Sequence, residues 1–308
     1  MCSPPTWWAK TAGSRLSRRT RRFLKLQQWT VKRVLDWATL DFSTRGIEPS
    51  RLEAELILAH TIKCERIALY TDFDRPLNKG ELASFKDNVK RRRQGEPSAY
   101  ITGSKEFWSL EFEVNAHVLI PRPDTETLVE TALSLVYDDA VVLDLCTGSG
   151  CIAVALATEN KTLQIDASDL SEQACATAIR NIGRHNLNER IAVYNGDLFK
   201  PLPTGKRYNM IVSNPPYVIG EEINTLSTEV RNEPRMALDG GGADGLDIIL
   251  NILKQAKDIL SPGGHLLIEL DPRQAEEIAL SSGPSLFGTR GKIINDLTAR
   301  PRVVVFEK

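Results

Sequence analysis

The spacing of apolar residues between positions 30 and 95 predicts a small helical domain. Behind Thr30, a residue suited to cap a helix, apolar residues recur three, four and seven positions apart. A second helix is predicted to open at Pro49, and a third ends in four consecutive cations at positions 90–93. We interpret these cations as charges at the negative end of the helix dipole, with a nucleic-acid patch as the alternative.

Residues 1–29 differ from the rest of the chain because they carry seven cations and no acidic residue. An acid-free start with arginine and serine is typical of an organellar transit peptide. The alternatives are a disordered basic tail and a start assigned too far upstream. We leave this segment out of the fold prediction and expect it to be disordered.

Residues 96–123 are predicted to form a hairpin-like connector. From position 108 to 114 apolar and polar residues alternate, which indicates a half-buried strand. Residues 117–120 are expected to continue as an extended segment, and the prolines that follow keep the backbone out of a helix. A helix is predicted next.

Beyond residue 140, apolar strand-like runs alternate with helical stretches, which predicts a mostly parallel sheet with helices on both faces. The predicted strands lie at 141–146, 164–169, 191–197, 208–214, 264–270, 291–297 and 302–308. The predicted helices lie at about 150–159, 171–186, 247–261 and 273–282. The last two strands have no room for a helix between them, so they must pair as an antiparallel hairpin.

Composition excludes several classes of protein. A length of 308 residues predicts about two domains, and 42% hydrophobic residues suffice for buried cores. No run reaches the roughly 18 apolar residues that a membrane span needs. A net charge of −1 argues against a chain that binds nucleic acid by electrostatics alone. Five scattered cysteines predict reduced thiols in a cytoplasmic protein, with no metal site.

A glycine-containing loop follows the first predicted strand of the sheet. It runs from Asp144 through Cys146, Thr147, Gly148, Ser149 and Gly150. Glycines allow a ligand to approach the backbone, and the helix that follows offers free N–H groups. Asp169 ends the second strand and can accept hydrogen bonds from both hydroxyls of a ribose. This pattern fits either a nicotinamide dinucleotide or S-adenosylmethionine.

The sequence Asn214-Pro215-Pro216-Tyr217 ends the fourth predicted strand of the sheet. Its prolines hold the chain extended, so the Asn214 carboxamide oxygen and the Pro215 carbonyl can both face a ligand as acceptors. The ring of Tyr217 offers a flat wall. Two acceptors beside an aromatic ring suit a planar NH₂ group.

These motifs together resemble the class I S-adenosylmethionine-dependent methyltransferases that act on a planar amino nitrogen. Further segments resemble the release factor glutamine methyltransferases, the HemK/PrmC family, and the resemblance covers roughly residues 30–308. The segments are Gly95 to Pro97, Tyr100 to Gly103, Phe107-Trp108, Leu119 to Glu126, Glu229 to Pro234, Ala237-Leu238 and Gly245. The implied fold is α/β: a Rossmann-like seven-stranded sheet over residues 124–308, a hairpin connector and the helical domain.

The resemblance also implies a reaction. The family transfers a methyl group from S-adenosylmethionine to the side-chain amide nitrogen of the glutamine in the Gly-Gly-Gln motif of class 1 peptide chain release factors. Such an enzyme is expected in the cytoplasm, or in an organellar matrix if the tail is a transit peptide. Its partner is the release factor, gripped by the helical domain at 30–95, with no direct nucleic acid or membrane partner.

The resemblance assigns roles to particular residues. Residues 146–150 would hold the methionine end of the cofactor and Asp169 its ribose, with Asp197 and Leu198 against the adenine. Asn214 would lie beside both cofactor and substrate, Pro215 and Pro216 would contact the substrate amide, and Tyr217 would pack against it. Arg122 and Glu126 are expected to line the cleft or to form an ion pair that fixes the connector.

Three alternatives remain open. Asn-Pro-Pro-Tyr also suits an enzyme that methylates the amino group of adenine or cytosine in DNA or RNA. A related enzyme modifies a glutamine of a ribosomal protein, although Pro123 to Glu126 favour the release-factor interpretation. A catalytically silent binding module is the third. The chain also departs from the family pattern at Asp271, where a glycine is usual, and after Leu297, where a glycine commonly follows.

Overall fold

The computed structural model describes residues 28–308, which divide into two compact units. The first unit ends at Arg93 and the second begins at Gln94. The basic tail predicted over residues 1–29 lies outside the described residues, except for Gln28 and Trp29.

The first unit is helical. Its helices are α1 (Val31–Thr44), α2 (Ser50–Ile62), α3 (Ala68–Thr71) and α4 (Lys79–Arg93). The Thr30 hydroxyl caps α1 by accepting a hydrogen bond from the Arg33 amide. The three helices that apolar spacing predicts are confirmed, whereas the single turn of α3 is too short for a periodic signal.

The cations at the end of α4 do not act as one group. Arg92 is only 2% exposed, and its Nε donates to Glu53 of α2 at 2.5 Å. Arg93 donates two hydrogen bonds to Asp41 and lies over the ring of Trp37. All four cations lie in the last turn of α4, as predicted, and Arg92 is in addition paired with a carboxylate inside the unit.

The connector contains a hairpin, but at a different place from the one predicted. After helix α5 (Ser98–Thr102), strands β1 (Ser104–Phe107) and β2 (Leu110–Glu113) pair antiparallel. Trp108 and Ser109 form the two-residue turn, with φ of 54° and 56°. Left-handed φ at both central positions matches the twist of a hairpin.

The predicted strand over 108–114 is confirmed only for Leu110–Glu113, whereas the expectation that the hairpin is completed by an extended segment at 117–120 is wrong. The alternation of apolar residues runs through the turn itself. Neither turn residue is the glycine or asparagine that usually marks left-handed backbone.

Seven strands of the second unit form one mixed sheet. They are β3 (Val141–Leu145), β4 (Gln164–Asp169), β5 (Ile191–Asn195), β6 (Tyr208–Ser213), β7 (Leu260–Glu269), β8 (Lys292–Asn295) and β9 (Pro301–Glu307). Their order in the sheet is β5-β4-β3-β6-β7-β9-β8. All neighbours are parallel except β9, which runs antiparallel to β7 and β8. The predicted seven-stranded sheet with its terminal hairpin is confirmed.

Helices cover both faces of this sheet. Those not yet named are α6 (Glu126–Leu135), α7 (Cys151–Glu159), α8 (Glu172–Arg184), α9 (Thr228–Arg231), α10 (Asp247–Ile259) and α11 (Gly283–Leu286). Strand residues alternate between the faces, so Val142 joins the core beneath α6 and α7, whereas Leu143 joins the core beneath α10. Because both faces are covered at its centre, the central strands β3 and β6 are mostly apolar and buried.

The helix predicted over 273–282 is irregular. It consists of a 3₁₀ turn at Pro272–Gln274 followed by a π-helical segment at Glu277–Ser282. Asp271, the departure from the family pattern, caps this turn: its side chain accepts from the Arg273 amide at 2.9 Å, and the Gln274 side chain accepts from its backbone. The aspartate thus serves as a helix cap at this position.

The described residues, 28–308, contain neither a candidate membrane span nor a candidate metal site. Within that range no helix has the length and apolar character needed to cross a membrane. In the same part of the chain, His, Cys, Asp and Glu side chains do not gather in threes that could bind a metal ion.

Candidate active site

A cleft of about 220 Å³ opens at the carboxyl ends of the parallel strands β3, β4 and β6. In open α/β sheets, ligands bind at this edge. The predicted site residues that line the cleft are Cys146, Thr147, Gly148, Ser149, Asp169, Asp197, Leu198, Asn214 and Pro216. Gly150, Pro215 and Tyr217 lie outside this lining.

The loop after β3 has left-handed backbone at Cys146, Gly148 and Gly150, with φ of 59°, 56° and 80°. A Cβ built on Gly148 would meet nothing within 4 Å, so this backbone faces open space. A Cβ on Gly150 would lie 3.2 Å from the Cβ of Ala178 in α8. Gly148 therefore gives a ligand access to the loop, and Gly150 allows α7 to pack closely against α8.

Asp144, near the end of β3, holds this loop in place. Its Oδ2 accepts hydrogen bonds from the Thr147 hydroxyl at 2.6 Å and from the Ala153 amide at 3.2 Å. Burial raises the pKa of Asp144 to about 7, although these two hydrogen bonds favour the charged form. The side chain thus links the end of β3 to the first turn of α7.

Asp169 presents a carboxylate to the cleft from the end of β4. Its Oδ2 accepts from the Gly148 amide and its Oδ1 from the Ser171 amide, both at 2.9 Å. Burial raises the pKa of Asp169, and these backbone hydrogen bonds oppose the rise. Each oxygen retains lone-pair capacity, so the carboxylate can accept further hydrogen bonds from a ligand.

Asp197 and Leu198 line the cleft from the loop after β5. The Ser168 hydroxyl of β4 donates to the Leu198 carbonyl at 3.1 Å, which fixes this loop beside β4. Leu198 and Leu170 supply apolar surface to the same cleft.

Asn214 follows β6 directly, and its carboxamide contacts Thr125. The Asn214 Nδ2 donates to the Thr125 Oγ1 at 3.1 Å. The amide oxygen, on the other side of the carboxamide, remains as an acceptor. Pro216 lines the cleft beside Asn214, whereas Pro215 is buried.

Tyr217 packs its ring against the core beneath α10. Its hydroxyl lies 3.5 Å from Glu269 Oε1, and its carbonyl accepts from the Gln274 side chain at 3.0 Å. The expectation that this ring forms a wall of the binding site stays a prediction.

Arg122 and Glu126 do not pair with each other, which corrects the expectation of an ion pair between them. Arg122 lines the cleft and forms an ion pair with Glu233, whose other oxygen accepts from the Ile120 amide at 3.0 Å. Glu126 lies outside the cleft lining and accepts from the Trp108 amide at 3.1 Å, so it fixes the hairpin turn. The carboxylate that holds Arg122 is more than a hundred residues downstream.

Two residues of the site were missed as functional candidates. Thr125 lies within the Leu119–Glu126 motif and Glu269 ends β7, but neither has a sequence signal for its contacts. Thr125 is separated from Asn214 by 89 positions. One signal was available for Glu269: an acidic residue ends an otherwise apolar central strand.

Two domain families match parts of this chain. Residues 33–103 match the model of the PrmC N-terminal domain, and residues 123–243 match that of the methyltransferase small domain. The release factor glutamine methyltransferase of Geobacter sulfurreducens is 45% identical over 255 residues, which are 82% of this chain and 88% of that protein. The chain belongs to the release factor glutamine methyltransferase family. The family member from Rhodopirellula baltica is 38% identical, with 91% of this chain and 97% of that protein covered.

The fold has a solved counterpart. The crystal structure of a methyltransferase from Pyrococcus furiosus matches with a TM-score of 0.51 at 20% identity, covering 75% of this chain and 99% of that one. At this identity the match concerns the fold alone. The match supports the seven-stranded sheet described above for this release factor glutamine methyltransferase.

Proposed function

We propose that this protein transfers a methyl group from S-adenosylmethionine to the side-chain amide nitrogen of the glutamine in the Gly-Gly-Gln motif of class 1 peptide chain release factors. The observation that carries the proposal is the 45% identity to a release factor glutamine methyltransferase along 88% of that relative. The cleft agrees with it, because Asn214 places a carboxamide beside the loop at 146–149.

The lining of the cleft fits S-adenosylmethionine. Asp169 has acceptor capacity for the two ribose hydroxyls, and Leu170 and Leu198 offer apolar surface to a purine. The open backbone at Gly148 leaves room for the methionine end beside residues 146–150. When bound, the cofactor supplies an electrophilic methyl group on a sulfonium.

The chemical difficulty is the weak nucleophile. The lone pair of an amide nitrogen is delocalised into the carbonyl, as the roughly 18–20 kcal/mol barrier to rotation about an amide bond shows. A methyltransferase must orient that nitrogen and stabilise the positive charge that grows on it. A strong base is not required first, because the N–H proton becomes acidic only as the new bond forms. That proton then passes to water, and the thioether S-adenosylhomocysteine is the leaving group.

In the proposed mechanism Asn214 acts from the cleft lining, and Pro215, whose ring is buried outside that lining, acts through its carbonyl. The Asn214 carboxamide oxygen accepts one hydrogen of the substrate NH₂ group, and the Pro215 carbonyl accepts the other. These two hydrogen bonds direct the nitrogen lone pair toward the methyl group and strengthen as charge develops. Pro216 and Tyr217 provide packing surface for the glutamine side chain.

The decisive experiment is methyl transfer from radiolabelled S-adenosylmethionine to a purified class 1 release factor. Its matched control is the same factor with Gln→Ala in the Gly-Gly-Gln motif, and further arms contain a glutamine-modified ribosomal protein, bulk RNA and bulk DNA. We expect label only in the unaltered release factor. Label in nucleic acid, in the ribosomal protein or in the Gln→Ala factor would contradict the proposed substrate.

A further inference from the structure

The backbone of residues 214–217 must be held in place, because the proposed mechanism uses the Pro215 carbonyl as an acceptor. Upstream, this segment continues from β6, whose last residue, Ser213, pairs with Leu145 of β3. Pro215 and Pro216 have no backbone N–H, so neither can donate a hydrogen bond to a neighbouring segment. The segment therefore needs a second anchor at its downstream end.

The buried side chain of Gln274 contacts that downstream end. Its Nε2 donates to the Tyr217 carbonyl at 3.0 Å and to the Asp244 carbonyl at 2.9 Å, and its Oε1 accepts from the Asp271 amide at 3.3 Å. The side-chain amide thus uses both of its N–H groups and its oxygen. Because two carbonyls face its nitrogen, the orientation of the amide is determined by its surroundings.

The backbone at Tyr217 is also closely packed from other sides. A Cβ on Gly245, which has a φ of 74°, would lie 2.5 Å from the Tyr217 oxygen, and a Cβ on Gly240 would lie 2.8 Å from the Tyr217 Cα. The Val218 amide donates to the Leu238 carbonyl at 2.8 Å, and the Val218 carbonyl accepts from the Gly240 amide at 3.0 Å. The glycines permit this close approach, which fixes the path of the chain after the two prolines.

Gln274 has no direct access to the reacting groups. Asn214 and Pro216 line the cleft, whereas Gln274 and Tyr217 lie outside its lining. Any effect of Gln274 on the reaction must therefore pass through the Tyr217 carbonyl and along the backbone to the prolines.

We propose that Gln274 is a positioning residue, whose NH₂ group holds residues 214–217 so that the Asn214 oxygen and the Pro215 carbonyl meet the substrate amide. This inference rests on the proposed function, since it explains how the two proposed acceptors keep their places. Gln274 acts through the Tyr217 carbonyl and touches neither substrate nor cofactor.

The loss of this anchor should affect turnover more than cofactor binding. A shift of about 1 Å in a reacting group can cost roughly 100-fold in rate. The groups proposed to bind most of the cofactor, residues 146–150 and Asp169, belong to the loop after β3 and to the end of β4. The hydrogen bonds of Gln274 do not reach either of these groups.

The test measures kcat and KM with an intact release factor, and affinity for S-adenosylmethionine by calorimetry, in full-length variants. Gln274→Met removes both the NH₂ donors and the acceptor oxygen. Gln274→Glu keeps an acceptor for the Asp271 amide and removes only the donors. Arg190→Met is the matched control, because the Arg190 side chain also donates to two backbone carbonyls, those of Ala157 and Asn160, outside the cleft lining.

We expect both Gln274 variants to lower kcat roughly 10- to 100-fold, with affinity for S-adenosylmethionine within a few-fold of wild type. Arg190→Met should lose stability in urea denaturation but keep the wild-type kcat. Activity of the wild-type protein on the release factor is the separate test of the proposed function, and an inactive wild-type protein would contradict that function.

With an active wild-type protein, the proposal is overturned if either Gln274 variant folds and matches Arg190→Met in kcat, because both variants lack the NH₂ donors. It is also overturned if kcat and cofactor affinity fall by the same factor, since this would indicate a general loss of structure. If Gln274→Met does not fold, the comparison of Gln274→Glu with Arg190→Met decides alone.

Discussion

At the scale of single residues, Asn214 orients the substrate amide nitrogen in the proposed mechanism. Asn214→Ala should lower the rate of methyl transfer by about 100-fold or more, because it removes an acceptor whose effect is largest in the transition state. Affinity for S-adenosylmethionine should stay within a few-fold of wild type.

The matched control for this change is Asn209→Ala. Asn209 lies on the same strand, β6, where its side chain accepts from the Val141 amide outside the cleft. Steady-state kinetics should show a loss of kcat only for the Asn214 variant. Normal turnover of Asn214→Ala would remove Asn214 from the proposed mechanism.

Asp169 is expected to act on binding and not on turnover. Asp169→Ala should weaken affinity for S-adenosylmethionine by roughly 10- to 150-fold, since losing a hydrogen bond to a charged group costs about 1.5–3 kcal/mol. Titration calorimetry measures this directly. Asp138→Ala is the control, because Asp138 is an exposed aspartate bonded to Asn160. Unchanged affinity in Asp169→Ala would exclude it from the ribose site.

Local motifs made part of this site predictable. The loop after β3 contains the glycines that its backbone conformation requires, and the segment that begins at Asn214 contains prolines that keep it extended. The sequence therefore indicates both without any tertiary information. Thr125 and Glu269 are different. Their contacts depend on which strand ends are brought together by the sheet, and no local pattern encodes a partner 89 positions away.

At the scale of elements, apolar runs predicted every strand of the large sheet, and this signal is strongest in β3 and β6, which are buried on both faces. It misplaced the hairpin of the connector, where the turn residues Trp108 and Ser109 carry no turn signal and fit the alternation of their neighbours. The buried charge in α4 was also beyond prediction, since a run of four cations gives no sign of which one faces inward.

That buried charge gives a stability prediction for the helical unit. Arg92→Met should lower the free energy of unfolding by about 3–5 kcal/mol, because it leaves the Glu53 carboxylate without its arginine inside the protein. Urea denaturation followed by far-ultraviolet circular dichroism measures the loss.

The neighbouring Arg93→Met is the control for this change. The Arg93 side chain is 30% exposed and pairs with Asp41, so its loss should cost about 1 kcal/mol or less. Equal destabilisation by the two substitutions would show that burial of Arg92 adds nothing to the strength of its ion pair.

At the scale of the whole molecule, we propose that the helical region over residues 30–95 recognises the release factor away from its glutamine. A Gly-Gly-Gln loop alone offers little surface, whereas specific protein pairs bury about 1,200–2,000 Å² in total. A chain that begins at Pro97 should bind S-adenosylmethionine normally by calorimetry. It should also methylate a short Gly-Gly-Gln peptide as well as the full chain does.

The same shortened chain should methylate an intact release factor far more slowly than the full chain. Normal cofactor binding serves as the control that the methyltransferase unit has folded. Equal rates of both chains on the intact factor would contradict a recognition role for the helical region.

The ion pair between Arg122 and Glu233 affects when the cleft can form during synthesis of the chain. These residues are 111 positions apart, and the ribosome adds about 5–20 residues per second, so roughly 5–20 s pass between their synthesis. During that interval the Ile120 amide and the Arg122 guanidinium have no Glu233 to bind. The wall of the cleft that contains Arg122 can therefore reach its final form only after translation has passed the fourth strand of the sheet.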